Sequence, residues 1–430
     1  MKEDMRKKKD GGINARYCAE KIQEESILIF FTGDFYEYNG GCYYKCNSES
    51  IKKKIMDMLG DEYTLSNLNE IFKTLRIVCY IDEKYLNWYP GFSLKNGMYD
   101  VGSNKIHSHT PAFKATVQLN VNYDKDAICP KWEKTLDEVF LGNRDKINAL
   151  QEYFGLCLTK EIKYQKALFC LGDGANGKST VLYVLESLLG RDNYSAVPVE
   201  QFKNRHYLAE LHGKLANISA ETKVKSDICD SAFKTIVTGD STHVDRKFKA
   251  PFVFDPFCKL IFALNEMPRS DDKSDAYFRR IFIIRFSRKF EGAEDNKNLK
   301  YELVKELDGI FLWALEGLKR LEQRGRFVET KEMQQEISCY RRENNSVLVF
   351  AREECDLSLD LRISKDTLYQ NYSDWSKKSG LGTLSKIRFG KQLTIRFPSI
   401  LEDRESDSRC WVGIDIKGSI EQDSMNDWND

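Results

Sequence analysis

The stretch FCLGDGANGKSTVLYVLESLLG, residues 169–190, decides the fold class. The run KALFCL (166–171) reads as a short buried strand, a glycine-rich turn follows, and STVLYVLESLLG (179–190) has helical spacing. Gly172, Gly177, Lys178 and Ser179 fit the pattern G-x-x-x-x-G-K-[ST] in the strand–turn–helix setting that gives it meaning. An ordinary glycine turn before a helix would explain the glycines but not the whole constellation. Glycines let backbone N–H groups converge on phosphates, and a helix N-terminus adds partial positive charge. Residues Gly172, Asp173, Gly174, Ala175, Asn176, Gly177, Lys178, Ser179 and Thr180 are therefore the candidate cradle for ATP. Lys178 is expected to reach the β- and γ-phosphates, and the Ser179 hydroxyl to ligate Mg²⁺.

At 430 residues the chain exceeds one typical domain, so two or three cores are expected, each able to fold without staples. Sixty-six Lys and Arg balance 66 Asp and Glu. No global field draws such a protein to nucleic acid, so any nucleic-acid site must be a local patch. The N-terminus is charged, and ILIFF (27–31) is only strand-length, so neither a signal peptide nor a membrane span is expected. Twelve cysteines lie scattered without a C-x-x-C pair and read as reduced, mostly buried thiols. A cytoplasmic setting, in a bacterial host cell or at a viral replication site, is the expectation. His107 and His109 have no second ligand pair near them and read as loop residues rather than a zinc site.

The chain divides by pattern. Residues 1–125 mix strand-like runs with turns, as in FYEYNGGCYYKC (35–46) and LKNGMYDVGSNKIHSHTP (94–111), and read as a mixed α/β region. From 126 to 160, Trp132, Leu136, Val139 and Phe140, then Ile147, Leu150, Tyr153 and Phe154, recur at helical steps. This aromatic stripe reads as the core of a small helical collar rather than a ligand box. Residues 161–325 alternate apolar runs with helical segments, as an α/β domain with a parallel sheet would. Residues 340–418 form a separate small domain.

Within the α/β domain, KLANISAET (214–222) is a second buried strand ending in Glu221, an acid that would face the γ-phosphate and orient a water, or else sit on the surface. KLIFALNEMP (259–268) is a third, ending in Asn265, whose amide can bond the attacking water or simply favour the turn. Arg279 and Arg280 then open a further strand in AYFRRIFIIRF (276–286).

Order and spacing together carry a resemblance. The stretches LKNGMYD, DGANGKST, LANISAET, FKTIVTGDSTHVDRKFKAPFVFDP, LIFALNEMP and RRIFIIRF, spread over residues 90–325, resemble the superfamily 3 helicases of the AAA+ class. The closer likeness is to the helicase part of phage, plasmid and poxvirus-type primase-helicases. That resemblance implies ring-forming subunits, usually hexamers, with ATP at subunit interfaces and single-stranded DNA in the pore. It gives Lys178 and Ser179 the phosphate and Mg²⁺ roles, Glu221 the water-orienting role and Asn265 the sensor role. Arg280 best matches the arginine finger, with Arg279 second. Two departures stand out: Ala220 occupies the position where many AAA+ proteins carry a Mg²⁺-linked aspartate, and the chain has no room for a primase, so a separate primase or polymerase would supply priming.

STHVDRKFKAPFVF (241–254) gathers His243, Arg246, Lys247 and Lys249, with Lys247 and Lys249 on one face of a hairpin and Phe248 on the other. The resemblance makes this the pore hairpin; a solvated surface hairpin is the alternative. Repeated around a ring, even two phosphate contacts per subunit would make binding strongly salt-dependent. In the C-terminal part, Ser364 is a plausible N-cap, Leu368, Tyr372 and Trp375 follow at helical spacing, and Gly380 is a stop. Phe389, Leu393 and Phe397 then share a face that excludes Lys386 and Lys391, and CWVGIDI (410–416) suggests a hairpin. This order suggests a winged helix with Lys386 and Lys391 as DNA contacts, or a generic packing domain. The expected activity is that of an ATP-dependent replicative DNA helicase of a mobile element, acting on single-stranded and forked DNA. An origin-binding initiator or loader that assembles without unwinding is the second reading, and a small-molecule kinase the third.

Overall fold

The computed structural model describes residues 12–219, 228–247, 250–268, 270, 272, 274–292, 296–343, 345–379, 383–405 and 408–417. The chain forms two compact units, Met1–Arg269 with Arg279–Met333, and Ser270–Phe278 with Gln334–Asp430.

The first unit begins with α1 (Ala15–Ser26), the antiparallel sheet β1 (Leu28–Phe31), β2 (Asp34–Asn39) and β3 (Cys42–Cys46), then α2 (Ser48–Leu59) and α3 (Leu65–Val78). Each helix is started by a side chain that satisfies an orphan N–H: Asn14 accepts from Tyr17, Asn47 from Glu49 and Thr64 from Asn67. Cys18, Ile22, Ile51, Ile55, Ile71 and Leu75 bury one shared face. These three helices add to the strands and turns read from the sequence. Ile51, Ile55 and Leu59 do keep a four-residue step, but Lys52, Lys53 and Lys54 between them obscure it. A second antiparallel sheet follows, β4 (Gly91–Leu94), β5 (Gly97–Asp100) and β6 (Lys105–His107), with the Asn96-Gly97 turn where it was expected.

Helices α4 (Pro130–Val139) and α5 (Arg144–Cys157) share one continuous core with the sheet beyond them, so the collar stripe of Trp132, Leu136, Leu150, Tyr153 and Phe154 is interior packing. Helix α5 lies against α11, Leu307–Arg324, at two reciprocal glycines. A Cβ on Gly155 would stand 2.4 Å from the Ala314 carbonyl oxygen, and one on Gly317 would stand 2.4 Å from that of Gln151. Their absence lets the two backbones touch.

The central sheet contains β7 (Ala167–Leu171), β8 (Tyr194–Ser195) and β9 (Ala216–Ser219), and two later strands. Helix α6 (Lys178–Leu189) follows β7; α7 (Arg205–Leu208) and α8 (Asp230–Thr238) flank β9; and the small hairpin β10 (Thr242–Val244) with β11 (Phe252–Phe254) precedes β12 (Lys259–Leu264). After α9 (Asp275–Phe278), β13 (Ile281–Arg285) completes the sheet, and α10 (Leu299–Leu303) leads to α11. The sheet order is β13-β7-β12-β9-β8, every pairing parallel. Among the five strands in chain order this is 5-1-4-3-2, with β7 between the last two strands to form. The inner strands β7 and β12 and the edge strand β13 are mainly apolar and buried along their length, as in a sheet covered on both faces.

Helix α12 (Lys331–Glu343) leads into the second unit. There Tyr340 meets the hydroxyl of Tyr277 at 2.8 Å, and Arg341 pairs with Asp275 at 2.7 Å while lying over Phe278. The segment between Asn265 and Arg279 thus spends Ser270–Phe278 in the second unit. The remaining elements are α13 (Ser346–Glu354), β14 (Cys355–Asp356), β15 (Arg362–Ser364), α14 (Lys365–Lys378), α15 (Lys386–Arg396), β16 (Leu401–Glu405), β17 (Ser408–Val412) and β18 (Asp415–Ile416). Phe350, Leu368, Tyr372, Phe389, Leu393 and Trp411 form their core.

Ser364 caps α14 by accepting from Thr367 N at 3.2 Å, as read from the sequence. Gly380 lies outside the described residues; α14 ends at Lys378 with Ser379 as its cap. The hairpin expected within 410–416 is differently built. Strand β17 pairs with β16, and β18 pairs with β14, because Gly413 at φ +100° turns the chain out of the first sheet before it can fold back on itself. All twelve cysteines are free thiols. Among the described residues, no helix is long and apolar enough to cross a membrane.

Candidate nucleotide site and nucleic-acid interface

The loop 172–177 leaves the C-terminal end of β7 between the ends of its two neighbours. Gly172 N donates to Leu264 O of β12 at 3.0 Å, and a Cβ on Gly172 would stand 2.6 Å from Phe286 O just beyond β13. Asn176, buried, donates its amide to that same Phe286 oxygen at 3.3 Å. Phe290 N reaches Ala175 O at 2.7 Å, and Gly177, at φ +84°, packs on Val139. The loop is held on three sides, by β12, by the segment after β13 and by α4.

Lys178 opens α6 and is 7% exposed. Its ammonium donates to Gly172 O at 2.5 Å and to Asn176 Oδ1 at 3.0 Å, both neutral oxygens. Burial pulls its pKa below the usual lysine value, with Cys170 and Asp173 opposing that pull. The result is a buried cation at a helix N-terminus, held by carbonyl-type oxygens alone. Ser179 and Asp173 are exposed beside it, and Thr180 is half-buried.

Asn265 follows the last residue of β12, and Leu264 pairs with Leu171, so Asn265 and the phosphate-type loop emerge from adjacent strand ends. Its side chain is exposed. Glu221, and Ala220 before it, lie outside the described residues; β9, which leads to them, ends at Ser219 beside Phe262 of β12. The two arginines part company. Arg280 is 7% exposed and its carbonyl accepts from Ala167 N as β13 begins, whereas Arg279 projects into solvent. Of the two, only Arg279 is open to solvent.

The hairpin forms as expected, with Thr242 opposite Phe254 and Val244 opposite Phe252. His243 and Lys247 are exposed, and Lys249 lies outside the described residues. Arg246 requires a correction. Its guanidinium lies over Phe252, pairs with buried Asp34 at 3.1 Å and approaches His212 Nδ1 at 3.2 Å, which engages it inside the protein instead of offering it to a phosphate. In the second unit Lys386 is paired with Asp366, while Lys391 is exposed on α15 between Ile387 and Ile395, themselves 86% and 56% exposed.

Comparison with known proteins covers most of the chain. Three family profiles match successive segments: "D5 N terminal like" over residues 7–141, "Family of unknown function (DUF5906)" over 170–280, and "Poxvirus D5 protein-like" over 342–428. A stretch of 286 residues is 24% identical to the "Putative helicase L207/L206" of Acanthamoeba polyphaga mimivirus, covering 60% of this chain and 29% of that relative. The chain thus spans less than a third of that relative's length. Structures of the NrS-1 C-terminal region superpose with TM-scores of 0.55, 0.53 and 0.51 at 9–11% identity, over 93–94% of this chain and 99–100% of theirs, a likeness of fold. The chain is thus similar to the phage and viral primase-helicases.

In this chain the sequence reading missed the supports of the loop. Val139, Phe286 and Phe290 come from segments 33 or more positions away, and nothing in their local pattern marks them. It also missed Asp34, the partner that removes Arg246 from the surface; a lone aspartate opening a strand carries no such signal.

Proposed function

We propose that this chain is the ATP-hydrolysing motor of a superfamily 3, AAA+ DNA helicase, working as a ring on single-stranded and forked DNA. The observation that carries the reading is buried Lys178, bound only to neutral oxygens at the N-terminus of α6, beyond the end of β7, an inner strand of a 5-1-4-3-2 parallel sheet. A cation so placed is suited to a polyphosphate, which would supply the charge the loop lacks. Lys178 would turn from Gly172 O and Asn176 Oδ1 toward the β- and γ-oxygens of ATP, with backbone N–H groups of 174–179 around them. Ser179 would hold Mg²⁺, which neutralises charge developing on the phosphates. Asn265 is within reach of a water at the γ-phosphate from the next strand end, and Glu221 remains the candidate to orient that water.

Arg279 is our candidate finger, completing a neighbour's site, which makes hydrolysis depend on assembly. Lys247 and His243 at the hairpin are the candidate strand contacts. The second unit, in which α13, β15, α14, α15, β16 and β17 follow one another with β14 and β18 pairing beside them, is proposed as a winged helix, with Lys391 as a DNA contact. A separate primase remains the proposed source of primers.

The test is unwinding of a forked DNA with ATP. Wild type is expected to separate the strands, and Lys178→Ala to lose both hydrolysis and unwinding. ATP hydrolysis without any unwinding on forks of either polarity would instead favour an initiator or loader.

A further inference from the structure

The first unit contains a cavity of about 950 Å³ that the phosphate-type loop does not line. Its walls come from three places: the β2–β3 sheet, the segment 116–120, and the central domain at 190–196 and 209–214. Six cationic side chains line it against three carboxylates. Two of the six, Lys45 and Arg246, are committed to Asp34 at 2.8 and 3.1 Å. The other four are Lys95, Lys160, Arg191 and Lys214, and among the described residues none of them forms an ion pair.

The direct contacts of three of them are with neutral groups. Lys214 donates to the Asp192 carbonyl oxygen at 2.5 Å, Arg191 lies 5.0 Å from the Tyr194 ring centroid, and Lys160 lies 5.9 Å from that of Phe257. The cavity walls crowd water from Lys160 and Lys214, and this desolvation lowers both pKa values, although Lys160 stays accessible from the cavity itself. A chain with no net charge has here concentrated six cations against three carboxylates in a concave site, where their field is focused. Aromatic surfaces face the same space: Tyr36, stacked on Phe31 at 4.2 Å, with Tyr44 and Tyr194. Cationic groups interleaved with aromatic faces suit phosphates joined to flat bases. The volume sits at the upper end of the roughly 300–1,000 Å³ typical of ligand sites, more than a bare inorganic ion needs.

We propose that this cleft is a second, non-hydrolytic site for nucleotide units, whose phosphates are held by Lys95, Lys160, Arg191 and Lys214. The units come either from a nucleic-acid strand or from free nucleotide. The chemistry is shared, and the experiment separates the sources. Arg246 and His212 also line the cleft, so an occupant there touches the base of the β10–β11 hairpin.

The test measures fluorescence anisotropy of a labelled 15-nucleotide oligothymidylate, and separately of a labelled ATP analogue, in the full chain carrying Lys178→Ala. Onto that background are added Lys95→Ala, Lys160→Ala and Lys214→Ala together. If a strand is the occupant, oligonucleotide affinity falls at least about tenfold and the log–log salt slope shrinks by about 2, the value for three phosphate contacts on a single strand. If free nucleotide is the occupant, residual binding of the analogue is lost and the oligonucleotide is unaffected. Arginine at all three positions restores binding in either case.

Because Lys214 also braces the 190–193 turn, Lys95→Glu serves as a second variant: its exposed side chain braces nothing, and it should weaken the same probe several-fold with an unchanged melting temperature. Affinities of both probes that ignore the triple variant and Lys95→Glu overturn the proposal. These readouts need no ATP turnover, so a chain that never unwinds DNA can still show the site, and an active helicase can still lack it.

Discussion

Arg246 Nη1 lies 3.1 Å from Asp34 Oδ2, and this pair ties the arm of the β10–β11 hairpin to the N-terminal sheet. Asp34 is 6% exposed and also receives Lys45 at 2.8 Å, while Arg246 Nη2 faces His212 Nδ1, whose other ring nitrogen meets Glu83 at 2.9 Å. If Arg246 donates to Nδ1, the imidazole proton sits on Nε2 and points at Glu83. The hairpin is therefore anchored through a polar chain of side chains, not merely laid on the surface.

Arg246→Ala is expected to lower stability by about 1–3 kcal/mol, since it strips a charged hydrogen-bond partner from a buried carboxylate. Lys247→Ala, one position on, should stay within about 0.5 kcal/mol of wild type, as exposed substitutions do, yet weaken single-strand binding. Urea melts and anisotropy titrations of the two variants check this. Equal stability losses would mean the Asp34 pair is energetically idle.

The two arginines before β13 should separate in the same way. Arg279→Ala is expected to keep the fold and nucleotide binding while cutting hydrolysis by about 10³–10⁵, the range for an arginine finger. Arg280→Ala, at a buried position, should lower the melting temperature first. Mixing Lys178→Ala subunits with Arg279→Ala subunits should restore ATPase activity that neither has alone. If confirmed subunit exchange restores nothing, the finger is not Arg279 or does not act between chains.

The contact of α5 with α11 admits no side chain at Gly155 or Gly317. Gly317→Ala is expected to cost about 1–3 kcal/mol, the usual range for overpacking, because its Cβ would meet the Gln151 carbonyl carbon and oxygen within 2.5 Å. Denaturant unfolding reads this directly. A stability equal to wild type would show that the helices can slide apart without loss.

Lys259 is buried at the start of β12, donates to the carbonyl oxygens of Thr159 and Phe257, and has its pKa lowered by burial to about 8. The unfolded chain keeps the ordinary value near 10.5. Between these values the unfolded state binds more protons than the folded one, so stability from this group rises with pH across that window. The full gain is about 3 kcal/mol. Lys259→Met should lack it. Unfolding free energies of the two proteins, compared from pH 7.5 to 10, should diverge in favour of wild type, and parallel curves would refute the assignment.

Much of this was legible before the fold. The strand, loop and helix around Lys178 are specified within residues 166–190, since apolar run, glycines and helical period all act locally. The apolar runs that became β9, β12 and β13, the β10–β11 hairpin and the Ser364 cap were readable for the same reason. Helices α1–α3 were less so, because short amphipathic helices rich in lysine gain most of their stability from the face they bury, and that face exists only once its partners are assembled.

The sequence by itself determined that a phosphate-type loop opens a helix, that apolar strands alternate with helices after it, and that basic residues cluster at one hairpin. Tertiary structure alone decided which of those charges are free to act. Arg246 and Arg279 are both arginines beside another basic residue, yet one meets a buried aspartate 212 positions away and the other meets solvent. The same holds for Lys95, Lys160, Arg191 and Lys214, which are unremarkable one by one and converge only when the N-terminal sheet closes over the central domain. Local pattern sets backbone conformation through short-range sterics and periodic burial. Whether a charge is neutralised depends on what long-range packing places within a few ångströms of it.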